Sequence, residues 1–348
     1  MEDLKWLINK NQSVFFSAWL QSEDRQIPTL NESKTSPATQ QDHLLRFCTG
    51  WENNRGGWMN TVRAAFITDQ IIYEDAMYQT YDRSISQNII MESENILNWG
   101  SHKFMLGANA TAYTAHSENY SSLKNNYKMA ISAGNKFSFA NERLLIYPMA
   151  RFEYYSAGKI PFTGNISAEY CIARNLKISL NASRIYRQPT LNELYWNPGG
   201  NPDLKPEKGY TTEGNILYSK FFTTFSLSVT GSAYNRVIDD WILWLPGPKG
   251  RPQPMNIQKV WNRGAETRWK LTHRFKGIEI GLHVFTSYCL STVISSLQEN
   301  DNTAGRQLIY TPRYSGNAGL FLNWLEFSWM YTQQYVGYRF TSSDNTHW

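Results

Sequence analysis

Apolar and polar residues alternate one by one along much of this chain, and this period constrains the fold more than any other feature of the sequence. In LKISLNA, residues 176–182, apolar side chains occupy every second position and polar side chains the positions between. The same scheme recurs in 165–172, 225–234 and 278–288. Because successive side chains of a strand point to opposite faces, each segment predicts a strand with one apolar and one polar face. Helical periodicity is weak, so the sequence predicts an all-β protein.

The connections between the predicted strands alternate between short and long. The pattern places roughly sixteen strands along the chain. In an antiparallel sheet every second connection lies at the same edge, so the long connections are predicted to share one edge. Outer-membrane barrels have this asymmetry, with short periplasmic turns and longer extracellular loops. The sequence therefore predicts a transmembrane antiparallel β-barrel. The long connections are predicted at 22–41, 69–85, 116–124, 157–161, 187–207, 245–257 and 293–307.

The composition agrees with a membrane-facing β protein. Aromatic residues make up 15% of the chain and charged residues only 18%, whereas about 25% of residues are charged in an average soluble protein. No apolar run reaches the ~18 residues that a transmembrane helix requires. Aromatic side chains at the membrane interfaces are typical of such barrels. Tryptophans near the ends of predicted strands are Trp6, Trp19, Trp51, Trp58, Trp99, Trp241, Trp244, Trp261 and Trp324.

Several function classes find no support in the sequence. The net charge of +5 is not clustered, so we expect no nucleic-acid partner. The three cysteines lie far apart, which fits neither a disulfide framework nor a zinc site. The histidines form no metal-ligand pair, and neither a G-x-S-x-G nor a phosphate-binding glycine motif occurs. We therefore expect no enzyme, no cofactor and no bound metal.

Residues 187–207, RQPTLNELYWNPGGNPDLKPE, contain four of the thirteen prolines of the protein. Proline lacks a backbone N–H, so this stretch is predicted to be a loop, with one helical turn after Pro189 up to Tyr195. A charged group inside a barrel is normally paired. One hypothesis is that Arg187 pairs with Glu193, Glu207 or Glu213 and holds two strand ends together.

The same stretch resembles a motif of TonB-dependent outer-membrane receptors. In that family a basic strand end, a Pro-Thr-x-x-Glu-Leu-Tyr turn, a Gly-Asn-Pro-x-Leu-x-Pro-Glu segment and a downstream Glu recur in this order. Segments 234–242, 310–319 and 335–348 resemble later parts of the same family. The matching residues are Arg187, Pro189, Thr190, Glu193, Leu194, Tyr195, Gly200, Asn201, Pro202, Leu204, Pro206, Glu207 and Glu213.

The resemblance implies a barrel wall that works together with other parts of a receptor. Residues 1–348 would be the central and C-terminal part of a 22-strand barrel, about sixteen strands, left open or incomplete. The plug domain, the last strands and an export signal peptide are not visible in the sequence. The expected location is the outer membrane of a Gram-negative bacterium, and the expected partners are membrane lipid, the plug domain and the TonB complex.

The function implied by the resemblance is TonB-energised uptake of an iron-siderophore, haem or cobalamin. The motif is most similar to the cobalamin and siderophore branches. Three alternatives stay open: a passive outer-membrane porin, a non-functional barrel fragment and a soluble all-β binding protein.

Two sets of candidate site residues follow from this interpretation. Loop-fixing residues, or residues that contact the plug or the lumen, are Arg187, Glu193, Tyr195, Glu207 and Glu213. Aromatic residues expected in or beside the long loops are candidates for ligand contact, because loops on a rigid scaffold carry many binding residues. They are Trp196, Trp241, Trp244, Tyr78 and Tyr81.

Overall fold

A computed structural model describes residues 2–28, 37–77, 79–156, 158, 162–246, 252–296 and 303–348. Sixteen strands form one antiparallel sheet in chain order, and each strand pairs with its successor. In the described pairings, β1 and β16 each have one neighbour only, so the sheet is open. The all-β prediction and the number of strands are confirmed.

The strands and the helix have the following bounds. They are β1 (Glu2–Asn9), β2 (Gln12–Gln26), β3 (Ala38–Arg55), β4 (Trp58–Asp75), β5 (Thr80–Trp99), β6 (His102–Ser117), β7 (Lys124–Phe139), β8 (Leu144–Tyr155), β9 (Thr163–Ala173), β10 (Leu176–Arg187), α1 (Leu191–Tyr195), β11 (Glu207–Phe221), β12 (Phe225–Pro246), β13 (Pro252–Phe275), β14 (Ile278–Ser296), β15 (Tyr314–Trp324) and β16 (Phe327–Val336). Among the described residues, no helix is long and apolar enough to cross a membrane.

The connections alternate in length as predicted. Those at one edge of the sheet, the short-turn edge, are two to four residues long, and those at the other, the long-connection edge, are four to nineteen. The predicted loops at 22–41 and 69–85 were too long, because β2, β3, β4 and β5 continue into them. In the second case the pairing of β4 with β5 extends to Asp75 and Thr80. Polar residues obscure the alternation there, but the backbone ladder does not depend on side-chain polarity.

The two faces of the sheet differ in polarity. Apolar side chains at alternate positions are largely exposed on one face, for example Ile131 and Leu180, each at 63%. Polar side chains on the other face bond across strands: the Asn181 amide donates to Ser167 Oγ at 2.6 Å. A soluble protein seldom exposes so much contiguous apolar surface, whereas a membrane barrel turns that surface to lipid. The apolar face therefore argues against the soluble alternative.

The apolar face predicts a strong cost for a charge facing lipid. We expect Leu180→Lys to lower the free energy of unfolding by about 2–4 kcal/mol, because the ammonium would enter the hydrocarbon region. Urea titration of the chain folded in lipid bilayers measures this change. The matched control is Ser179→Lys, whose side chain lies on the polar face opposite Glu169. Equal destabilisation by both variants would contradict the assignment of the faces.

Candidate functional site

Residues 188–206 connect β10 to β11 at the long-connection edge, and we call this segment the strap. It begins with helix α1, which Thr190 caps. The Glu193 N–H donates to Thr190 Oγ1 at 3.2 Å, and the Thr190 N–H donates to Glu193 Oε2 at 2.7 Å. This reciprocal capping box satisfies two backbone donors that the start of a helix leaves free. A five-residue helix is thereby held in place by its own sequence.

Arg187, the last residue of β10, joins two carboxylates. Its guanidinium donates to both oxygens of Glu207 at 2.8 Å, and to Glu193 Oε2 at 3.0 Å and Oε1 at 3.3 Å. Arg187 and Glu207 are directly opposite each other in the β10–β11 ladder. A guanidinium fits a carboxylate with two parallel hydrogen bonds, which makes the geometry specific. The ion pairs therefore close the base of the strap and fasten α1 to the strand ends.

Glu207 also connects the strap to a third strand. Its Oε1 accepts the backbone N–H of Ile242, in β12, at 2.8 Å. Ile242 is buried in a small apolar cluster with Leu194 and Leu204 of the strap, and Tyr195 packs against it. One carboxylate and one apolar contact thus hold the strap against the neighbouring hairpin.

Asparagines fix the second half of the strap. The Asn201 N–H donates to the Glu193 carbonyl at 2.7 Å, and its side-chain amide donates to the Pro254 carbonyl of β13 at 3.1 Å. Asn256, also in β13, accepts from the Lys205 N–H at 2.8 Å and donates to the Lys205 carbonyl at 2.9 Å. These bonds replace the backbone partners that a strand would have within the sheet.

The first half of the strap contacts the opposite neighbour, the β6–β7 connection. The Asn197 N–H donates to the Asn119 carbonyl at 2.8 Å, and the Tyr120 hydroxyl bonds to Asn192. The Lys124 ammonium, at the start of β7, lies 4.2 Å from the centre of the Tyr195 ring. The strap therefore bridges strands that are several places apart in the sheet.

Two adjacent glycines allow the strap to turn tightly. Gly199 has a φ of +135°, a conformation that side chains with a Cβ rarely adopt. A Cβ on Gly200 would lie 2.6–2.8 Å from backbone atoms of Tyr195 and Trp196. Any residue with a Cβ would therefore strain or clash with the backbone at both positions.

Glu193 is nearly buried, and two effects act on its ionisation. Burial disfavours the carboxylate, but the bonds from Arg187 and from the Thr190 N–H outweigh burial and lower the pKa of Glu193. Because folding lowers this pKa, the contribution of the carboxylate to stability is present above the ordinary value of about 4.3. It is lost as the pH falls through the folded-state value.

The structure places the remaining candidate residues at separate positions. Glu213 is six residues further along β11, about 20 Å from Glu207 at ~3.3 Å per residue, and is not part of the Arg187 network. Trp196 is the C-cap residue that directly follows α1 and is half-buried, whereas Trp241 and Trp244 lie within β12. Tyr81 was expected in a loop but lies in β5, paired with Glu74. Tyr78 lies outside the described residues.

The aromatic candidates share the long-connection edge but do not form one site. Six strands lie between β5 and β12, so seven inter-strand steps separate them, about 34 Å along the sheet at ~4.8 Å per step. Among the described residues, no ring contact pairs Trp196 with Trp241 or Trp244. Sequence reasoning missed Lys124, Ile242 and Asn256, which hold the strap from other strands; only their positions near strand ends give a signal.

We expect Arg187→Ala to open the strap locally. The side chains of Glu193 and Glu207 are only 12% and 8% exposed, and the substitution leaves both without their guanidinium. Loss of such hydrogen bonds costs about 1–3 kcal/mol, measured as faster amide hydrogen exchange in 188–206. Arg187→Lys should be intermediate, because an ammonium keeps the charge but loses the bidentate geometry.

The control for this prediction is Arg184→Ala, in the same strand. Arg184 lies 5.9 Å from the centre of the Tyr210 ring and takes no part in the carboxylate network. Unchanged exchange in Arg187→Ala, or equal changes in both alanine variants, would contradict the assigned role.

Acid should loosen the strap through Glu193. We expect amide exchange in 188–206, normalised to intrinsic rates, to rise as the pH falls below about 4. Glu193→Gln should lose most of this pH step, because an amide does not titrate while it keeps the capping hydrogen bonds. Glu213→Gln, outside the network, serves as the matched control. A step of the same size in Glu193→Gln would contradict this explanation.

With the geometry established, comparison with known proteins identifies the class. The family model described as TonB dependent receptor-like, beta-barrel, matches residues 5–348. The chain therefore belongs to the TonB-dependent receptor β-barrel family. Members of this family are transport receptors of the outer membrane of Gram-negative bacteria. The resemblance inferred from the strap motif is confirmed.

Two relatives of known description match parts of this chain, and both are vitamin B12 transporters. The vitamin B12 transporter BtuB of Photobacterium profundum is 37% identical over 108 residues, 30% of this chain and 17% of that protein. The vitamin B12 transporter BtuB of Vibrio vulnificus is 26% identical over 195 residues, 52% of this chain and 31% of that protein. The alignments thus span less than a third of these relatives.

A solved structure supports the fold over nearly the whole chain. The siderophore receptor PirA from Pseudomonas aeruginosa superimposes with a TM-score of 0.73 and 13% identity, covering 96% of this chain and 62% of that chain. At this identity the likeness concerns the fold alone.

Proposed function

We propose that the chain forms part of the wall of an outer-membrane receptor that takes up a cobalamin-type ligand with energy from TonB. Family membership supports uptake as the activity. The two BtuB relatives, both vitamin B12 transporters, support cobalamin ahead of an iron-siderophore or haem. The expected partners are outer-membrane lipid, the plug domain and the TonB complex. The placement of 1–348 as the central and C-terminal part of a 22-strand barrel stays a prediction.

The observation that carries the site proposal is the fastening of the strap to several strands. Arg187, Glu193 and Glu207 hold its base, and Asn201 and Asn256 hold its second half. A loop with this many fixed partners keeps one conformation, which lowers the entropy cost of binding a ligand. We infer that the strap is a fixed platform at the extracellular edge, and that gating movements belong to other parts of the receptor.

Trp196 is the candidate through which this platform would touch a ligand. It is the C-cap residue of α1, and its backbone is held by the Asn192 carbonyl, which accepts the Trp196 N–H at 3.1 Å. An indole offers a large flat surface with few rotatable bonds, so it binds flat ligands at low entropy cost. Arg187, Glu193, Tyr195 and Glu207 act on the ligand indirectly, by fixing the strap.

Equilibrium dialysis of the chain in detergent micelles against cyanocobalamin tests this function. We expect saturable binding, and Trp196→Ala should weaken it about tenfold, as removal of a central tryptophan contact typically does. The matched control is Trp99→Ala: Trp99 is 71% exposed at the opposite, short-turn edge and should leave binding unchanged.

The same preparation separates the alternatives. Saturable binding of a ferric siderophore without cyanocobalamin binding would reassign the ligand class. If neither ligand binds and the chain in liposomes admits small sugars without selectivity, the receptor proposal fails and the passive porin is favoured.

A further inference from the structure

A concave surface lies on the polar face of the sheet, at the short-turn edge. It is therefore at the opposite edge from the strap. It is a cavity of about 560 Å³ between β11 and β15. Hydroxyl groups of Ser219, Ser228 and Thr272 line it together with Lys270 and His283. Every one of these side chains offers a hydrogen-bond donor, and the lysine also carries a positive charge. We call this surface the Lys270 pocket.

Strand register brings the donors of the pocket into one row. Ser219 is paired with Ser228, Ser228 with Lys270, and Lys270 with His283, across four successive strands. Side chains directly opposite each other in an antiparallel sheet have Cβ atoms about 4.5–5.5 Å apart. The Ser219 and Ser228 hydroxyls are already bonded to each other at 3.2 Å. In this row Lys270 lies between Ser228 and His283, so both neighbours are within reach of a group bound to its ammonium.

Two glycines shape the floor of the pocket. A Cβ on Gly281 would overlap the Phe321 ring, and a Cβ on Gly319 would lie 2.7 Å from His283 Cδ2. The absence of these atoms lets the two rings stack, with centroids 5.6 Å apart. His283 is thereby held beside Lys270 by packing, and the Phe321 ring lies over Gly281.

The charges around the pocket are unbalanced. Arg274 and Glu279, nearest the turn, neutralise each other at 3.1 Å. Lys270 and His283 have no carboxylate partner in the described part of the chain. An opposite charge directly across from a lysine in a sheet is stabilising. Here Lys270 faces an imidazole and hydroxyls, so its charge has no counter-charge among the described residues.

We propose that the Lys270 pocket binds an oxyanion, either a carboxylate or a phosphate group, with Lys270 as the charged contact and His283, Ser228 and Thr272 as hydrogen-bond donors. A charge-assisted bond to an oxyanion would supply the counter-charge that Lys270 lacks. The proposal goes beyond ligand capture at the strap, because the pocket lies at the other edge of the sheet. The oxyanion belongs either to a free anion in the lumen or to an acidic side chain of a polypeptide there.

Isothermal titration of the chain in detergent micelles tests the site with two probes, inorganic phosphate and the blocked peptide Ac-Glu-Gly-Glu-NH2. We expect one of them to bind with a Kd of about 1 mM or tighter. Lys270→Ala should weaken binding at least about tenfold, as loss of one charge-assisted hydrogen bond does. Binding of phosphate assigns a free anion, whereas binding of the peptide alone assigns a polypeptide carboxylate.

The matched control is Lys220→Ala, which removes the same charge at the same edge. Lys220 is on the opposite face of β11 and lies 4.7 Å from the centre of the Phe222 ring. Lys270→Arg should retain part of the affinity, which separates a lost contact from a damaged fold. Absence of binding by both probes, or equal binding by Lys270→Ala and Lys220→Ala, would overturn the proposal.

Discussion

The structure depends on one constraint: backbone polar groups in contact with lipid have to find hydrogen-bond partners within the protein. A β-sheet meets this requirement only between neighbouring strands, which is why membrane proteins use sheets in barrel form. Here each strand from β1 to β16 pairs with its successor in chain order. Once the strands are paired, each side chain points to one of the two faces of the sheet. The apolar face and the polar face, with everything placed on them, follow from that division.

The strap shows how a polar site is built onto such a wall. Its chain leaves the ladder after Arg187 and returns at Glu207, so its own backbone groups lose the partners that strands supply. Side chains supply some of these partners: the Glu193 carboxylate accepts the Thr190 N–H, and Asn256 bonds to both backbone groups of Lys205. A small apolar cluster of Leu194, Leu204 and Ile242 packs the strap against β12. Arg187 has a central role because two nearly buried carboxylates would otherwise be desolvated without a counter-charge.

The fold could be predicted to a large extent because its signals are local. Alternation indicated the strands and their number, and the short and long connections indicated the two edges. The ends of strands were predicted less well: polar residues continue β4 and β5, and β13 begins at Pro252, within the predicted loop 245–257. The candidate site was predictable only in part. Arg187 was expected to pair, but three carboxylates were open to it, and only their positions near strand ends pointed to Asn256 and Lys124.

The sequence by itself determined the class of the molecule: an antiparallel membrane sheet with a proline-rich connection at one edge, carrying a family motif. Only the tertiary structure decided that Arg187 meets Glu207 and Glu193 while Glu213 lies about 20 Å along the strand. It also decided that Lys270 faces His283 across the β13–β14 pair. The physical reason is register. Alternation within a strand can be read from neighbouring residues of the sequence. The cross-strand partner of a residue depends on how two segments that are distant in the sequence align.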